Sequence, residues 1–302
     1  MKGLLLLDKP EGITSFSAVS GVKRRAKEKR VGHTGTLDPM ATGVLPVLLG
    51  RATALSSLLL DGDKRYIAEI KLGITTDTDD ITGEILTENK VDLKQEDIDA
   101  VLPQFTGTIR QTPPIYSAIK KDGVRLYKLA REGKSAEIPE REITIHSISL
   151  LKPLNDQNIF KIEVFVSKGT YIRSLARDIG ETLGCGATLY SLRRTFAGGF
   201  DITDCTPLDS IDEENIKEYI ISEETVVMHL REINVTANQA VRFCNGGQLA
   251  YERLKVDFKS FKDNELFRIK CGNLFLGVGF ADNEKKQIGI KCIINYPEGQ
   301  DR

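Results

Sequence analysis

One loop near the start of the chain restricts the local fold more than any other segment. Residues 32–46 read GHTGTLDPMATGVLP and surround a single acid, Asp38, with three glycines and two prolines. Glycine tolerates left-handed backbone conformations, and proline fixes φ and lacks an N–H donor, so this composition excludes the interior of a helix or strand. It predicts a rigid loop shaped around one carboxylate, which is typical either of a structural turn or of a catalytic site.

The composition is that of an ordinary globular protein with an uneven charge distribution. The 302 residues are 40% hydrophobic and 28% charged, which suffices for one large domain or two unequal ones. A formal net charge of −1 excludes a uniformly basic nucleic-acid coat, yet residues 1–52 are basic while 77–99 and 201–224 are acidic. This asymmetry can steer a polyanion to one side of the molecule, although solvated surface helices give the same pattern.

The cysteines and the amino-terminal segment indicate a reducing compartment. The five cysteines are an odd number and show no C-x-x-C spacing, which argues against a disulfide framework or a structural zinc site. The start, MKGLLLLDKPEG, has only four consecutive leucines, and no later apolar run reaches the ~18 residues of a membrane span. We therefore expect a cytoplasmic protein that does not span a membrane.

Strand-like and helix-like segments are mixed along the first three quarters of the chain. Residues 65–73 (RYIAEIKLG) alternate so that Tyr66, Ala68, Ile70 and Leu72 share one strand face. Further strands are predicted within 3–12, where a Lys-Pro-Glu-Gly turn ends the strand, and at 142–154 and 160–173, while 44–50 is an apolar segment. Helices are predicted at 13–30, 51–64, 91–105, 124–134, 174–184 and in the acidic stretch that ends near 225–233. Because regular β-α-β alternation is absent, the pattern predicts an α+β fold around a largely antiparallel sheet.

The carboxyl-terminal residues differ in pattern from the rest. From residue 233 onward, short alternating segments are separated by Gly and Asn turns. We predict a domain boundary between residues 232 and 233, followed by a small all-β module.

The sequence contains none of the common metal or nucleotide motifs. Its three histidines lack H-x-x-x-H or H-x-H spacing, and there is no G-x-S-x-G elbow, P-loop or G-x-G-x-x-G after a strand. Any chemistry must then come from side chains alone. Asp38 is a candidate for it, although Asp-Pro in a glycine-rich loop is also a common turn.

A second candidate segment is SKGTYIRSLARDIG, residues 167–180. Tyr171 and Arg173 lie two positions apart, so on an extended segment they point the same way. A guanidinium beside a carboxylate holds it ionised and oriented, and a tyrosine ring can stack on a base. The alternative is that Tyr171 packs in the core and Arg173 binds a nearby carbonyl.

Five motifs in one order resemble a known family. LLLLDKPEG, GHTGTLDPMATGVLP, DKRYIAEIKLG, TPPIYSAIK and KGTYIRSLARDIG are similar to those of the bacterial tRNA pseudouridine-55 synthases, the TruB family, over about Gly3 to Arg194. The carboxyl-terminal module resembles the PUA-type RNA-binding domain. The resemblance implies a pseudouridine synthase fold with a central mixed, largely antiparallel sheet flanked by helices. It also implies a catalytic domain over 1–232, a thumb-like insertion at about 112–140, and a PUA-like domain over 233–302.

The family isomerises the uridine at position 55 in the T-loop of tRNA to pseudouridine with no cofactor and no metal. The resemblance makes Asp38 the catalytic acid, either attacking C1′ or removing the C2′ proton of the ribose. Tyr66 matches the tyrosine that stacks on the target base and serves proton removal from C5. Tyr171 matches an active-site tyrosine, and Arg173 the arginine that pairs with the acid.

Other matched positions have supporting roles in the family. Leu192 matches a residue that lines the uracil pocket, His33 one that fills the space left by extruded nucleotides, and Lys9 one that supports the active-site loop, although Lys9 can also be a plain turn residue. The resemblance implies tRNA as the partner, and we expect a monomer because nothing in the sequence suggests a dimer surface. The basic residues that can contact phosphates are Lys23, Arg24, Arg25, Lys27, Lys120, Lys121, Arg125, Lys128 and Arg131.

Three rival functions remain open at this point. A guide-dependent pseudouridine synthase shares the acid, tyrosine and arginine motifs but works with small RNAs and partner proteins, and usually has long basic extensions. A non-catalytic tRNA-folding module could use the same surface, and folding activity could also accompany catalysis. A glycoside hydrolase is the weakest alternative, because it normally needs a second catalytic carboxylate in register.

Overall fold

The computed structural model describes residues 1–60, 62–116, 120–121, 124–125 and 138–297. Its α-helices are α1 (Ser15–Ala26), α2 (Ser56–Leu60), α3 (Gln95–Val101), α4 (Ile172–Thr182) and α5 (Ala237–Cys244). Short 3-10 turns lie at Gly50–Leu55, Leu102–Phe105, Ile202–Asp204, Leu208–Ser210, Ile216–Tyr219, Glu223–Val227, Tyr251–Arg253 and Phe258–Ser260.

The strands divide into two groups along the chain. Those of the first group are β1 (Gly3–Lys9), β2 (Val31–His33), β3 (Thr42–Leu49), β4 (Lys64–Leu72), β5 (Ile74–Thr76), β6 (Ile85–Glu88), β7 (Gly107–Gln111), β8 (Lys120–Lys121), β9 (Val124–Arg125), β10 (Arg141–Lys152), β11 (Ile159–Val166), β12 (Ala187–Ala197), β13 (Phe200–Asp201), β14 (Thr206–Pro207) and β15 (Ile220–Ile221). Those of the second group are β16 (Arg231–Asn234), β17 (Leu249–Ala250), β18 (Leu266–Cys271), β19 (Leu274–Asp282) and β20 (Gln287–Ile293).

Eleven of the described strands form one large sheet. Its main order is β14-β1-β3-β12-β4-β11-β10-β7, with β2 on β3, β13 on β12 and β15 on β1. Within this described sheet the β1–β14 and β3–β12 pairs are parallel and the other pairs antiparallel. The prediction of an α+β fold with a mixed, largely antiparallel sheet is confirmed.

Local sequence explains the elements that surround the site. Tyr66, Ala68, Ile70 and Leu72 of β4 are all buried, as the period-two pattern predicts for a strand that faces a core. Thr14 caps α1, because its side chain accepts a hydrogen bond from the Ser17 amide at 3.0 Å. The prediction that Tyr66, Ala68, Ile70 and Leu72 share one strand face is confirmed.

Two apolar clusters hold the helices on the large sheet. One contains the buried face of β4 with its neighbouring strands, α4 and part of the Asp38 loop. The other joins α1 to β1 and β3 through residues such as Leu5, Val22 and Val47. Helices α1 and α4 are therefore held by apolar packing that fixes their position relative to the Asp38 loop.

The carboxyl-terminal strands form a second sheet of five described strands, in the order β16-β18-β19-β20-β17. This sheet gives the region the architecture of a PUA-like domain. It packs on the first sheet through a shared apolar cluster that includes Leu4, Leu48, Phe275 and Ile294. Within that contact, Asn295 Nδ2 donates to Glu223 Oε1 at 2.9 Å, which joins the two sheets by a buried polar contact as well.

Some segments differ from the expectation. Residues 237–244, expected as strand, form α5, because Thr236 and Gln239 make a reciprocal capping box. The acidic stretch 201–224, expected as helix, consists of 3-10 turns and short strands instead. Pro207 lacks the N–H that a helix interior needs, and β14 and β15 gain ladder hydrogen bonds with β1.

The helix expected over 124–134 lies largely outside the described residues, and its first two residues form β9. Among the described residues, no helix has the length and apolarity needed to cross a membrane.

Candidate active site

The Asp38 loop connects β2 to β3, and its glycines are required by the backbone path. Gly35 and Gly43 have φ angles of +97° and +108°, in the region that favours glycine. A Cβ atom on Gly43 would lie 2.2 Å from the carbonyl oxygen of Arg194, because β3 pairs closely with β12 there. The apolar side chains of Leu37 and Met40 are buried in the core, so the loop is anchored on both sides of Asp38.

Two buried polar side chains hold the loop backbone from below. Ser15 Oγ accepts a hydrogen bond from the Leu37 amide at 2.9 Å and donates one to the Leu37 carbonyl at 3.0 Å. Lys9, which is fully buried, donates from Nζ to the carbonyl oxygens of Pro10 (2.9 Å), Pro39 (3.2 Å) and Ala41 (2.6 Å). The peptide groups before and after Asp38 are thereby fixed by side chains from β1 and α1.

Arg173 reaches the same carboxylate from the opposite side of the pocket. Its Nε lies 3.0 Å from Asp38 Oδ2, and its Nη2 donates to Asp38 Oδ1 at 3.3 Å. This two-point contact fixes the plane of the carboxylate as well as its charge. The expected Arg173–Asp38 pair is present, across 135 positions of sequence.

The local structure of the KGTYIR segment differs from the extended segment that the spacing suggested. Tyr171 is the N-cap residue of α4, and Arg173 lies in the first turn of that helix. The Tyr171 amide donates to Gln111 Oε1 at 2.9 Å, and Gln111 Nε2 donates back to the Tyr171 carbonyl at 3.0 Å. A buried glutamine on β7 thus fixes the start of α4, and the helix rather than a strand aims Arg173.

The remaining N–H groups of Arg173 contact two backbone carbonyl oxygens and the carboxylate of a second acid. Its Nη1 donates to the Thr78 carbonyl at 3.1 Å, and its Nη2 donates to the Tyr116 carbonyl at 3.0 Å. Asp80 Oδ2 lies 3.7 Å from Arg173 Nη1, and Asp80 is itself buried. With 6% of its surface exposed, Arg173 is held in one orientation by several independent partners.

Asp80 and Ser15 were not identified as functional residues from the sequence. Asp80 lies in TDTDDITG, whose density of Asp and Thr indicates turns stabilised by side-chain hydrogen bonds. Asp80 Oδ1 accepts from Thr82 Oγ1 at 2.6 Å and from the Thr82 amide at 3.1 Å. Nothing in the spacing of that segment points to Arg173, so the contact required the folded structure.

The carboxylate of Asp38 opens into a pocket of about 390 Å³. Among the described residues, its lining comprises Gly35, Thr36, Leu37, Asp38, Lys64, Tyr66, Tyr116, Gly169, Thr170, Tyr171, Ile172, Arg173, Leu192 and Arg194. The structure therefore brings together five of the seven residues singled out from the sequence, namely Asp38, Tyr66, Tyr171, Arg173 and Leu192. Arg194 was not singled out, although it is a buried strand arginine whose Nε donates to the Val44 carbonyl at 2.8 Å.

The other two residues lie outside this lining. Lys9 sits beneath the loop, where its contacts are those of a supporting residue. His33 is the last residue of β2 and is half-buried, with burial as the main cause that lowers its pKa. His33 is absent from the described residues that line the pocket.

The charges around Asp38 act in opposite directions. Burial is the largest influence on the pKa of Asp38 and raises it, Arg173 and Lys9 lower it, and Asp80 raises it. Burial also lowers the pKa of Lys9 to about 8, against an attraction to Asp38 that raises it. Lys9 therefore remains mostly protonated at neutral pH, and Asp38 is an acid whose ionisation depends on its cationic neighbours.

The arrangement is suited to side-chain chemistry on a ligand with a planar ring. A single oriented carboxylate can act as nucleophile or base, while Tyr66, Tyr171 and Leu192 provide aromatic and apolar walls. Within the described part of the chain, no group of three or more His, Cys, Asp or Glu side chains has the geometry to hold a metal ion.

Comparisons with known proteins agree with this site. Residues 23–172 match the model of the TruB family pseudouridylate synthase amino-terminal domain, and residues 173–239 that of the tRNA pseudouridylate synthase B carboxyl-terminal domain. The chain is 43% identical to tRNA pseudouridine synthase B of Clostridium kluyveri, covering 92% of this chain and 95% of that protein. It is 42% identical to tRNA pseudouridine synthase B of Clostridium acetobutylicum, covering 97% and 99%.

Solved structures with a similar fold have a lower sequence identity to this chain. The fold is similar to a Cbf5-Nop10-Gar1 complex, with a TM-score of 0.73, 27% identity, and coverage of 97% of this chain and 85% of that one. It is also similar to an H/ACA RNP bound to a substrate RNA containing 2′-deoxyuridine, with a TM-score of 0.71, 25% identity, and coverage of 98% and 87%. The identity and coverage of the relatives show that this chain belongs to the TruB family of pseudouridylate synthases.

Proposed function

We propose that this protein converts the uridine at position 55 in the T-loop of tRNA to pseudouridine, with no cofactor. The N1–C1′ bond of the nucleotide breaks, the uracil turns, and a C5–C1′ bond forms. The proton on C5 is lost and N1 gains one, so the reaction is an isomerisation. The observation that carries the proposal is the Asp38 carboxylate, held at two points by Arg173 in a pocket with aromatic walls.

Asp38 acts on the ribose in its ionised form. It either attacks C1′ to form a covalent intermediate or removes the C2′ proton to form a glycal, and both routes need a carboxylate held against the sugar. Arg173 keeps the acid ionised against the effect of burial, and Lys9 and Ser15 keep the loop from moving.

The aromatic and apolar walls hold the base. Tyr66 stacks on the uracil and serves the removal of the C5 proton, while Tyr171 packs in the active site and Leu192 lines the uracil pocket. The nucleotide must be flipped out of the folded tRNA elbow at a cost of a few kcal/mol. His33, on the strand before the loop, fills the space that the extruded nucleotides leave.

The substrate is bound by surfaces around the pocket. We propose a catalytic domain over 1–232 and an RNA-binding, PUA-like domain over 233–302, supported by the separate sheet of β16 to β20. The resemblance assigns residues from about 112 to 140 to a thumb-like insertion that contacts the T-arm, and most of that range, including Lys128 and Arg131, lies outside the described residues. The protein acts as a cytoplasmic monomer on tRNA and can also assist tRNA folding.

The guide-dependent alternative is less well supported. The similar solved structures of that kind, described as Cbf5 complexes and an H/ACA RNP, are 25–27% identical to this chain, whereas the tRNA pseudouridine synthases B are 42–43% identical. A non-catalytic folding module has no need for a buried arginine that orients one carboxylate. The stand-alone tRNA enzyme is therefore preferred.

Tritium release from a tRNA transcript whose uridines carry tritium at C5 tests the proposal. The protein should release one equivalent of tritium per tRNA with no small RNA or partner protein present. Asp38→Asn should release none while binding tRNA with the affinity of the parent. Equal release by Asp38→Asn and the parent would refute the role of Asp38, and a dependence on added guide RNA would favour the guide-dependent alternative.

A further inference from the structure

Helix α1 carries an exposed aromatic side chain beside the active-site loop. Phe16 is 77% exposed, the largest exposed fraction among the large apolar side chains of the described residues. A phenylalanine exposed in this way leaves apolar surface in water, which is unfavourable. None of the motifs that resemble the family includes Phe16, so its position suggests a partner that the isolated chain lacks.

The position of Phe16 is fixed relative to the pocket. The preceding residue, Ser15, is bound through its side chain to both backbone groups of Leu37, one residue before Asp38. Leu5, Leu7 and Lys9 alternate along β1 and so share one face. The first two pack against α1, and Lys9 binds the Asp38 loop. Helix α1 and the pocket thus lie on the same face of the large sheet.

Two cations continue the exposed surface of α1 beyond Phe16. Lys23 and Arg24 are exposed, and neither side chain forms an ion pair with another described residue. Lys27, the C-cap residue of α1, differs because Glu213 Oε2 lies 2.7 Å from its Nζ. At 1.5 Å per residue, Lys23 and Arg24 lie about 10–12 Å along the helix from Phe16, roughly the length of three stacked nucleotides.

We infer that this surface, formed by Phe16, Lys23 and Arg24, is a second contact for the RNA substrate. Phe16 stacks on a nucleotide base next to the flipped uridine, and Lys23 and Arg24 bind phosphates farther along the same RNA strand. An exposed aromatic ring and exposed cations on one surface form the combination by which proteins hold single-stranded or unstacked RNA. The inference rests on the proposed function, since it takes the substrate to be tRNA.

Binding and turnover of a Phe16 series test the aromatic contact. Equilibrium binding of unmodified tRNA is measured in the Asp38→Asn background, and KM and kcat for tritium release in the otherwise unchanged protein. Phe16→Ala should weaken binding and raise KM about tenfold, within the range of one lost base–aromatic stack, with kcat unchanged. Phe16→Tyr should keep the parent affinity, whereas Phe16→Leu should behave like Phe16→Ala. Parent affinity for Phe16→Ala, or for Phe16→Leu, would overturn the stacking contact.

The salt dependence of binding tests the cations. Replacing Lys23 and Arg24 together by Ala should make the slope of log K against log salt shallower by about 1.4, from two single-strand phosphate contacts. The matched control replaces Lys90 and Lys152, which are exposed and outside this surface, and should leave the slope unchanged. An unchanged slope for the first pair, or an equal change for the control, would overturn the inference. If the parent protein binds tRNA but releases no tritium, the proposed function fails and the binding arms still decide this inference.

Discussion

Removal of the Arg173 guanidinium should move the pH dependence of catalysis. Asp38 acts ionised, so the rate rises as pH increases through the pKa of its carboxyl group. Burial raises that pKa and Arg173 lowers it. Arg173→Met removes the lowering influence, so the pKa rises further and the acid limb of the rate profile moves to higher pH.

The geometry sets the size of this effect. Arg173 approaches the two carboxylate oxygens to 3.0 and 3.3 Å, and an opposite charge at such a distance typically lowers the pKa of an aspartate by about 1–3 units. We therefore expect the acid limb of Arg173→Met to lie about 1–3 pH units above that of the parent. Part of the lost rate should return as the pH is raised.

Single-turnover tritium release from tRNA between pH 5 and 9 measures the limb directly, with the protein in excess over RNA. Arg173→Met also leaves the buried Asp80 without its cation, which can cost about 3–5 kcal/mol of stability. Arg173→Lys is the matched variant, since it keeps the charge but loses the planar fork. It should leave the acid limb near the parent value while lowering the rate on the plateau.

The Arg173→Met protein is first shown to be folded by its thermal transition. If the acid limb of its pH–rate profile then coincides with that of the parent, this reasoning is refuted. A shift of equal size in Arg173→Lys would also refute it, because the shift would then come from altered geometry rather than from lost charge.

Three other substitutions probe the loop that carries Asp38. Ser15→Ala should lower the free energy of unfolding by about 1–3 kcal/mol, because it leaves the buried backbone groups of Leu37 without partners, and it should also lower kcat. Urea unfolding measures the stability and tritium release measures kcat. A variant with the stability of the parent would contradict the contact. Gly43→Ala should lower the melting temperature, because the added Cβ atom would lie 2.2 Å from the Arg194 carbonyl oxygen. Gly272→Ala, also at positive φ but with no atom within 4 Å of the added Cβ, should lower the melting temperature far less. Equal decreases in melting temperature for the two variants would refute the clash. Lys9→Met should slow turnover at saturating tRNA, because three carbonyl groups lose their donor, and an unchanged kcat would exclude a positioning role.

The sequence was most informative where one short segment carries the signal. The alternation in β4 predicts which face of that strand is buried, and the glycines and prolines around Asp38 predict an irregular loop. The family resemblance then supplied the long-range pairing of Asp38 with Arg173, which neither local segment encodes. The same resemblance assigned Tyr66 and Leu192 to the active site, and both line the pocket.

What could not be predicted depends on contacts between distant segments. The contact of Ser15 with Leu37 exists only once the loop folds back over α1. Tyr171 and Arg173 were placed on an extended segment, although the buried Gln111 fixes the start of a helix there. Local spacing is compatible with either conformation, and packing against β7 decides between them.

The contacts of the charged groups in the pocket explain why recognition must extend beyond it. Asp38 shares the pocket lining with three cations, Lys64, Arg173 and Arg194. Each of these cations already binds a group of the protein, since Arg173 pairs with Asp38 and the other two donate hydrogen bonds to backbone carbonyls. Binding energy that offsets the cost of flipping the uridine must then come from remote contacts, and interactions remote from the reacting atoms can be used for such distortion. The pocket and the exposed cations on α1 are thus complementary parts of one arrangement, in which the pocket orients the base and the surrounding surface holds the RNA.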